Sequence, residues 1–387
     1  MRILALFILL SCLLGASGQD GPDWFTLEDS AAESWELEPL DRDTRIGIKA
    51  KTPLEGTTYK VMALFPKKSS AYDIAMAQIL NEIREKNISA QFMLVFFGGD
   101  LQAGKQALAD AESAKMDIIL SMGSQSTSFV NQHYRGGSIP VVTVCSKDPV
   151  LMGLVENYES GGKSNIAFTS LDVPTRNQLA YLRQLNKDLS QIAILYARNN
   201  VSAVETQVQP LIAACEKEGI RILEVVVENQ ENARAELAEK MPLITAQIIE
   251  QDPQQEQSIF WITGSTSVFR EIETINAFSQ RIPVLSAVPN VVKPGDNSAV
   301  LSIGVSFENN AQLAALYTIR ILTRQVEAGD LPVGLVSPPD IAINFKKARA
   351  IGLKIPFSFF ESAGFIYDHH GELVREKGQN IAKGKLQ

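Results

Sequence analysis

Two passages of the chain share one pattern: Met116-Asp-Ile-Ile-Leu-Ser-Met-Gly-Ser-Gln-Ser-Thr127 and Ser258-Ile-Phe-Trp-Ile-Thr-Gly-Ser-Thr-Ser-Val268. Each is an apolar strand followed by a Gly/Ser/Thr loop and an amphipathic helix, and each leads to a second strand opened by Ile-Pro, at Ile139 and Ile282. Continuous apolar strands that alternate with helices predict a parallel sheet covered on both faces. The duplication predicts two similar lobes with a cleft between them.

The repeat extends upstream, because Tyr59-Lys-Val-Met-Ala-Leu-Phe-Pro66 and Gln191-Ile-Ala-Ile-Leu-Tyr-Ala-Arg198 each begin a further strand-helix-strand unit. The sequence therefore predicts an α/β protein with two doubly wound parallel-sheet lobes. We expect a C-terminal tail after these lobes that is polar and mobile from Tyr367. The predicted divisions are a first lobe of residues 57–168 plus about 299–335, a second lobe of 169–298 plus about 336–358, crossings near 168–172, 290–298 and 333–340, and a tail of 359–387.

Composition limits the classes of partner. The chain has 387 residues, 45% of them hydrophobic and 21% charged, with a formal net charge of −8. An acidic surface repels nucleic acids and anionic membranes, so we expect neither as a partner. Small molecules and other proteins remain, and we expect a monomer.

The N-terminus predicts export. Residues 1–18 carry one positive charge, an apolar run and small residues ending at Gly18, as a secretory signal does. Cleavage after Gly18 is favoured over the alternative, acylation of Cys12 in a lipobox-like Leu-Leu-Ser-Cys. Either route predicts a periplasmic or extracellular protein. Residues 19–56 are acidic and lack aliphatic periodicity, so we expect a flexible or loosely docked extension and predict that a chain starting near Thr57 folds.

The residues that usually carry catalysis or bind metals do not form a recognisable set. After processing, Cys145 and Cys215 remain, one at a strand end and one in a helix, and we expect two free, mostly buried thiols. The three histidines have no metal-ligand spacing. Neither a Gly-x-Ser-x-Gly elbow nor a complete phosphate-binding loop is present. We therefore expect no metal, no cofactor and no enzymatic activity, with a secreted α/β enzyme as the least favoured interpretation.

Polar loops follow the strands of both predicted lobes. Ligands of open parallel sheets bind beyond the carboxyl ends of the strands, where loops enter helix N-termini. Hydroxyl and amide side chains there can hold a ligand by hydrogen bonds without transferring protons. The candidate ligand-binding residues are Ser69, Tyr72, Gly123, Ser124, Gln125, Ser146, Asp148, Ser170, Asn200, Gly264, Ser265, Thr266 and Asn290.

Three of these residues have an ordinary structural alternative. Ser124 and Ser265, the serines of the two Gly-Ser loops, can alternatively cap helices without contacting a ligand. Asp148, in Lys147-Asp-Pro149, can pair with an amine of the ligand or can cap the helix that Pro149 begins.

Three phrases together resemble a known family: Ile139-Pro-Val-Val-Thr-Val-Cys-Ser-Lys-Asp-Pro-Val-Leu-Met-Gly-Leu-Val155, Asn165-Ile-Ala-Phe-Thr-Ser170 and Ala348-Arg-Ala-Ile-Gly-Leu-Lys-Ile-Pro356. They look like the bacterial ABC-transporter substrate-binding family that includes tryptophan/tyrosine-type receptors, over roughly residues 58 to 357. The resemblance implies a type I periplasmic-binding-protein fold with a hinge. It also places Asp148 at the family's Asp of "DPV" and Ser170 in the first crossing.

The chain departs from the family pattern at Cys145-Ser146-Lys147, where Ala-Val and a small or polar residue are more usual, and at Asn165-Ile-Ala-Phe-Thr, which lacks a glycine. These departures leave open a ligand other than an aromatic amino acid. The resemblance implies an exported solute receptor that delivers a small polar organic ligand, amino-acid-like or a small carboxylate, to an inner-membrane ABC permease. The alternative is a sensor of the same fold that feeds a membrane kinase or chemoreceptor.

Overall fold

The first lobe is built on a sheet of mostly parallel strands. The computed structural model describes residues 22–40, 42–376 and 378–381, so the predicted signal peptide and Cys12 lie outside the described residues. The strands are β1 (Trp35–Pro39), β2 (Arg45–Ala50), β3 (Tyr59–Phe65), β4 (Ala90–Phe96), β5 (Ile118–Met122), β6 (Val141–Val144) and β7 (Ile166–Ala167). Their order is β1-β2-β4-β3-β5-β6-β7; the β1–β2 and β2–β4 pairs are antiparallel, and the remaining pairs are parallel.

The second lobe has a larger sheet whose order is β10-β9-β11-β12-β13-β15-β16-β17-β18. Its strands are β9 (Gln191–Ala197), β10 (Arg221–Val227), β11 (Ser258–Ile262), β12 (Val284–Ser286), β13 (Leu301–Gly304), β15 (Asp340–Asn344), β16 (Ala363–Tyr367), β17 (Leu373–Glu376) and β18 (Gln379–Asn380). The strands from β10 to β13 run parallel, β15 and β16 are parallel to each other and antiparallel to β13, and the last strands form antiparallel hairpins.

Helices cover both faces of each sheet. They are α1 (Asp29–Ala32), α2 (Ser70–Glu85), α3 (Leu101–Ser113), α4 (Gly123–His133), α5 (Thr175–Leu185), α6 (Val201–Ala203), α7 (Gln209–Lys217), α8 (Ala233–Gln251), α9 (Thr266–Phe269), α10 (Ile272–Phe278), α11 (Phe307–Leu322), α12 (Phe345–Ile351) and α13 (Phe357–Ser362). A π-helical turn at Val204–Val208 and 3₁₀ turns at Gln230–Asn232, Pro289–Val291 and Ala328–Asp330 complete the regular structure.

The burial of alternate strand residues explains this layering. In β3, Val61 and Ala63 pack in the core that contains α2 and α11, whereas Met62 and Leu64 pack in the core that contains α3 and α4. In the second sheet, α5 and α7 contribute to one core and α8 and α10 to the other. The strands are therefore buried on both faces, which confirms the predicted doubly wound α/β architecture.

The chain passes between the lobes where two short strands lie side by side. The first crossing contains β8 (Thr169–Ser170) and the third contains β14 (Gly334–Leu335), and these strands pair in parallel. The remaining crossing lies between β13 and α11. We expected residues 299–304 in the first lobe, but β13 pairs with β12 and β15 in the second sheet, so this crossing follows Gly304 instead of preceding Ala299.

The acidic N-terminal segment differs from the expected loose extension. Its strands β1 and β2 extend the first sheet, and Trp24, Phe25 and Trp35 are buried in the core. The residues of β1 alternate between buried and more exposed positions, with Trp35 and Leu37 turned inward. An alternating strand at a sheet edge needs little aliphatic content, which is why a prediction based on aliphatic periodicity failed here.

The C-terminal segment also differs from the expected tail of residues 359–387, which we predicted to be mobile from Tyr367. Phe359 and Ile366 are buried in the second core, and β16 pairs in parallel with β15. The hairpin of β17 and β18 then continues the sheet as far as Asn380. Both cysteines are free and buried, as predicted.

Candidate functional site

A cavity of about 460 Å³ lies between the lobes, at the carboxyl ends of the parallel strands. From the first lobe it is lined by Lys67, Ser69, Ala71, Tyr72, Ser124, Gln125, Ser128, Cys145, Lys147 and Met152. From the second lobe and the crossings it is lined by Leu171, Asn199, Asn200, Val201, Ser202, Glu205, Gln230, Gly264, Thr266, Phe269, Ala287, Val288, Val305 and Phe307. Its position is the one that parallel-sheet topology predicts for a ligand site.

Tyr72 forms part of the first-lobe wall from the first turn of α2. Its hydroxyl lies so close to Gly123 that a Cβ at that position would collide with it, and Gly123 has a φ of +77°. Only glycine satisfies both conditions without strain. Burial raises the pKa of Tyr72, with a smaller contribution from Cys145, so the side chain is a neutral phenol that can donate a hydrogen bond.

The first turn of α4 contributes Ser124 and Gln125 to the same wall. Among the residues that the structure describes, no side chain caps this helix, whose N-cap position is Met122. The positive end of the helix dipole therefore lies at the cavity, with its first N–H groups uncapped by a side chain. The Oγ of Ser124 accepts a hydrogen bond from the backbone N–H of Lys147 at 2.9 Å, which joins the loop after β5 to the loop after β6.

Asn200 and Thr266 form part of the opposite wall, from the loops after β9 and β11. The Nδ2 of Asn200 donates to the Oγ of Ser265 at 3.3 Å, and that Oγ also accepts from the backbone N–H of Ala197 at 3.3 Å. Ser265 is therefore buried between two loops and supports this wall instead of facing the cavity.

A buried ion pair lies where the lobes meet. The Nζ of Lys147 donates to Oδ1 of Asp172 at 3.3 Å, and Gln207 donates to the same oxygen through Nε2 at 2.6 Å. The Oε1 of Gln207 in turn accepts from the backbone N–H of Gly264 at 2.7 Å. Lys147 also crosses the cleft, because a Cβ on Gly264 would collide with its Nζ. One network thus joins a loop of each lobe to the first crossing.

Asn310 of α11 fixes the end of β6. Its Oδ1 accepts from the backbone N–H of Cys145 at 2.8 Å, and its Nδ2 donates to the backbone oxygen of Ser170 at 3.1 Å. Cys145 has a φ of +54°, which is unusual for a residue other than glycine. Burial raises the pKa of the Cys145 thiol, which favours the neutral thiol over the thiolate.

The predicted site residues divide into two groups. The first group lines the cavity: Ser69, Tyr72, Ser124, Gln125, Asn200, Gly264 and Thr266. The second group supports the loops around it: Gly123, Ser146, Asp148, Ser170, Ser265 and Asn290. Sequence reasoning missed the ion pair of Lys147 with Asp172, together with Gln207, Glu205 and the aromatic residues Phe269 and Phe307. The unusual lysine at position 147 was the signal available for the first of these.

Asp148 closes a turn in the loop after β6; the helix expected to begin at Pro149 is not formed, and residues 149–153 make a turn instead. Its Oδ1 accepts from the backbone N–H groups of Val150 and Leu151, at 2.8 and 3.1 Å, and its Oδ2 accepts from the hydroxyl of Tyr158 at 2.7 Å. The residue is 2% exposed and does not line the cavity. The geometry therefore assigns the carboxylate to this turn, away from the cavity lining, and gives it a structural role other than the expected helix cap.

The other supporting residues lie close behind the cavity surface. The Oγ of Ser170 accepts from the backbone N–H of Asp172 at 3.0 Å. Asn290 donates from Nδ2 to the carboxylate of Glu308 at 3.4 Å, and so joins the second lobe to α11. The Oγ of Ser146 is buried and has no hydrogen-bond partner within the described residues.

Two properties of the described residues concern metals and membranes. In the described ranges, His, Cys, Asp and Glu side chains form no cluster of three or more that could hold a metal ion. A helix with the length and apolar character needed to cross a bilayer is not found among the described segments.

The two lobes, their paired crossings and the polar cavity between them define a two-lobed ligand-binding protein. The sequence matches the family model of the ABC transporter substrate binding protein over residues 83–365, and the chain belongs to this family. The predicted family relationship is thereby confirmed. No curated protein matches the sequence.

Solved structures show the same fold at low sequence identity. A conserved domain protein from Vibrio cholerae has a TM-score of 0.60 and 18% identity, with 80% of this chain and 99% of that chain covered. An ABC domain in complex with L-Trp from Streptococcus pneumonia has a TM-score of 0.60 and 16% identity, with 80% and 100% covered. A ligand-free, open substrate-binding protein with adhesive properties from Clostridium difficile has a TM-score of 0.60 and 19% identity, with 80% and 98% covered. These similarities confirm the predicted two-lobed fold.

Proposed function

We propose that this protein is the exported solute receptor of an ABC importer and binds a small polar organic solute, amino-acid-like or a small carboxylate, in the interlobe cavity. The observation that carries the proposal is the lining of that cavity, to which both lobes contribute polar loops from the carboxyl ends of their strands. Ser124 and Gln125 face Asn200 and Thr266 across it. A solute between these loops contacts both sets only when the lobes are close together.

This arrangement supports a hinge mechanism. Few covalent connections join the lobes, and β8 and β14 lie side by side in the crossings. A solute that gains its contacts only in the closed form shifts the population toward closure by its differential affinity for that form. The closed form is then the one that a permease recognises. Members of the family are receptors of transporters, and a periplasmic or extracellular location follows for this chain if its first 18 residues direct export.

The polar chemistry of the cavity supports binding instead of catalysis. Its hydroxyl and amide groups, such as Ser128, Ser202 and Gln230, hold hydrogen-bonding partners without accepting protons from them. Burial raises the pKa of the Cys145 thiol, and the Sγ donates to the backbone oxygen of Ala71 at 3.8 Å. The expected solute is therefore released unchanged.

Small-angle scattering with and without solute tests the proposal. A thermal-shift panel of amino acids and small carboxylates first identifies a stabilising ligand, because a saturating ligand raises stability by several kcal/mol. That ligand should reduce the radius of gyration of the protein and stimulate the ATPase of the cognate permease in vesicles. Ser128→Trp, which fills the cavity, should abolish both effects, whereas Gln102→Trp on the exposed face of α3 should preserve them.

Two results would count against this function. A confirmed tight ligand that leaves the scattering curve unchanged would contradict the hinge mechanism. Closure without stimulation of the permease, combined with activation of a membrane kinase or chemoreceptor, would favour a sensor of the same fold.

A further inference from the structure

We infer that the solute is an organic carboxylate without an ammonium group, and that its carboxylate binds the ammonium of Lys147. This inference rests on the proposed function, because it takes the interlobe cavity as the solute site. It narrows the ligand to one of the two chemical classes that the proposed function allows. The argument concerns which hydrogen-bonding groups of the cavity are still available.

The ammonium of Lys147 has N–H donors that are not used by the described part of the protein. Its ammonium carries three N–H donors, and the residue is 8% exposed. Within the described part of the chain, Asp172 Oδ1 at 3.3 Å is the one hydrogen-bond acceptor of this ammonium. Buried hydrogen-bond donors are normally paired. Because Lys147 lines the cavity, we expect the solute to supply the further acceptors for its ammonium. Carboxylate oxygens supply both an acceptor and the opposite charge.

Asp172, in contrast, already accepts three hydrogen bonds from the protein. Its Oδ1 accepts from Lys147 and from Gln207, and its Oδ2 accepts from the backbone N–H of Asp148 at 2.9 Å. Asp172 does not line the cavity. An ammonium group of a solute would have to displace Lys147 to reach this carboxylate. Lys147 thus already occupies the place that an amine of the solute would need.

The rest of the lining also favours an anion. The acidic side chain that lines the described cavity is Glu205, which is exposed on the π-helical turn. Lys67 lies on the opposite wall, together with the first turns of α2 and α4. Helix N-termini stabilise negative charge by their dipoles and free N–H groups. A solute carboxylate near Lys147 and Ser124 would therefore meet donors, whereas an ammonium there would meet like charge.

An apolar patch completes the lining. Phe269, Phe307 and Val288 contribute apolar surface, and Leu171 lies at the first crossing. Burial of hydrocarbon against these side chains contributes affinity in proportion to the area removed from water. The matching solute has one carboxylate and a hydrocarbon or aromatic body.

Matched sets of compounds test this inference by isothermal titration calorimetry. The probes are 3-phenylpropanoate, L-phenylalanine and 2-phenylethylamine, with 4-methylpentanoate and L-leucine as an aliphatic pair. Each acid should bind at least about tenfold more tightly than the amino acid that carries the same body. The amine should bind more weakly than either.

Variants identify the group responsible. Lys147→Met should weaken binding of the acids about tenfold or more and should reduce their preference over the amino acids. Lys147→Met leaves the buried carboxylate of Asp172 without its ion partner. The double variant Lys147→Met/Asp172→Asn removes both charges, and the asparagine side chain can still form hydrogen bonds, so it provides a second test. Lys105→Met, on the exposed face of α3, is the matched control and should bind like the wild type.

The outcomes separate this inference from the proposed function. Equal or tighter binding of L-phenylalanine and L-leucine would overturn the inference, and so would failure of both acids to bind. If an amino acid binds and closes the lobes in scattering experiments, the receptor function stands without the preference for a carboxylate. If bound acids leave the lobes unmoved, the carboxylate preference stands and the hinge mechanism fails.

Discussion

The indole of Trp24 packs against the ring of Phe65, with the ring centroids 5.6 Å apart. Trp24 belongs to the acidic N-terminal segment, and Phe65 ends the strand β3 that leads into the cavity. Phe65 is in turn in edge-to-face contact with Tyr72, at 6.0 Å between centroids, and Tyr72 lines the cavity. A continuous row of aromatic rings therefore connects the N-terminal segment with the first-lobe wall of the cavity.

The first prediction concerns this N-terminal segment. Removal of residues 1–56 deletes two strands of the first sheet and should leave a chain that does not fold to the native state. In the full chain, Trp35→Ala should lower the free energy of unfolding by about 3–5 kcal/mol, because Trp35 is buried and packs edge-to-face on Phe92. Urea unfolding followed by circular dichroism measures the loss.

Leu40→Ala is the control for that experiment, since Leu40 is 38% exposed at the end of the same segment. It should change the free energy of unfolding by less than about 1 kcal/mol. A stable, ligand-binding protein after removal of residues 1–56 would contradict the structural role of β1 and β2.

The second prediction concerns Asp148. Asp148→Asn should lower the free energy of unfolding by about 1–2 kcal/mol, because the charged carboxylate receives two backbone N–H groups and the Tyr158 hydroxyl. Its effect on solute affinity should stay within about twofold, since the carboxylate does not line the cavity. Calorimetric affinity and a melting curve on the same sample separate the two effects.

Tyr158→Phe is the matched change for the second prediction, because it removes one of the three hydrogen bonds of Asp148 and leaves the carboxylate in place. It should cost less stability than Asp148→Asn. If a fully folded Asp148→Asn protein lost solute affinity by a hundredfold, Asp148 would have to contribute to the ligand site, and the prediction would be wrong.

The predictable part of the fold is the part that short-range patterns describe. Parallel strands such as β3 and β11 are continuous apolar runs, so both lobes and the cavity could be located from the sequence. The edge strand Trp35–Pro39 alternates large and acidic residues, and its burial depends on Phe92, which is far away in sequence. The acidic composition of this segment therefore gave no indication that Trp35–Pro39 forms a strand.

The residues of the site also divide into those that local sequence patterns predict and those that depend on contacts between distant segments. Loops after parallel strands predicted Ser69, Tyr72, Ser124 and Asn200 as lining residues, because topology alone places such loops at one edge of a sheet. The ion pair of Lys147 could not be predicted in this way. Its partners lie in a crossing and in the other lobe, so the contact depends on how the lobes approach each other.

The third prediction uses Gly264. Gly264→Ala should preserve the fold, because the backbone there is not in the left-handed region, but it should weaken solute binding about tenfold. The added Cβ would collide with the Nζ of Lys147, which then either leaves Asp172 or keeps the lobes apart. Calorimetry measures the affinity, and scattering with ligand measures closure.

Gly364→Ala is the control for the third prediction. The nearest atom to a Cβ at Gly364 is the backbone oxygen of Ile341 at 3.9 Å, an ordinary contact far from the cavity lining. This variant should bind and close like the wild type. Normal closure by Gly264→Ala would show that the approach of Lys147 to this loop is not needed for binding.

The fourth prediction concerns pH and Asp73, which is 7% exposed in the first turn of α2. Burial raises the pKa of this carboxyl to about 6; the hydrogen bond from the backbone N–H of Thr26 lowers it, Glu28 raises it, and Lys68 lowers it. The pKa of an aspartate in the unfolded chain is about 3.9. Between these two values the folded protein binds more protons than the unfolded chain. Stability should therefore fall as pH rises from about 4 to 6, and the loss persists above that window.

The difference between the wild type and Asp73→Asn isolates this contribution. The asparagine Oδ1 can still accept the hydrogen bond from Thr26 at the position of the 3.2 Å contact, but it carries no charge. The variant should therefore be more stable than the wild type at pH 7, by at most about 3 kcal/mol, and the advantage should vanish near pH 4. Asp23→Asn, an exposed change in the same segment, should show no such pH-dependent difference. Urea unfolding at a series of pH values measures the stability of both variants. If the wild type gained stability relative to Asp73→Asn as pH rises, the folded protein would favour the charged form of Asp73, and the prediction would be wrong.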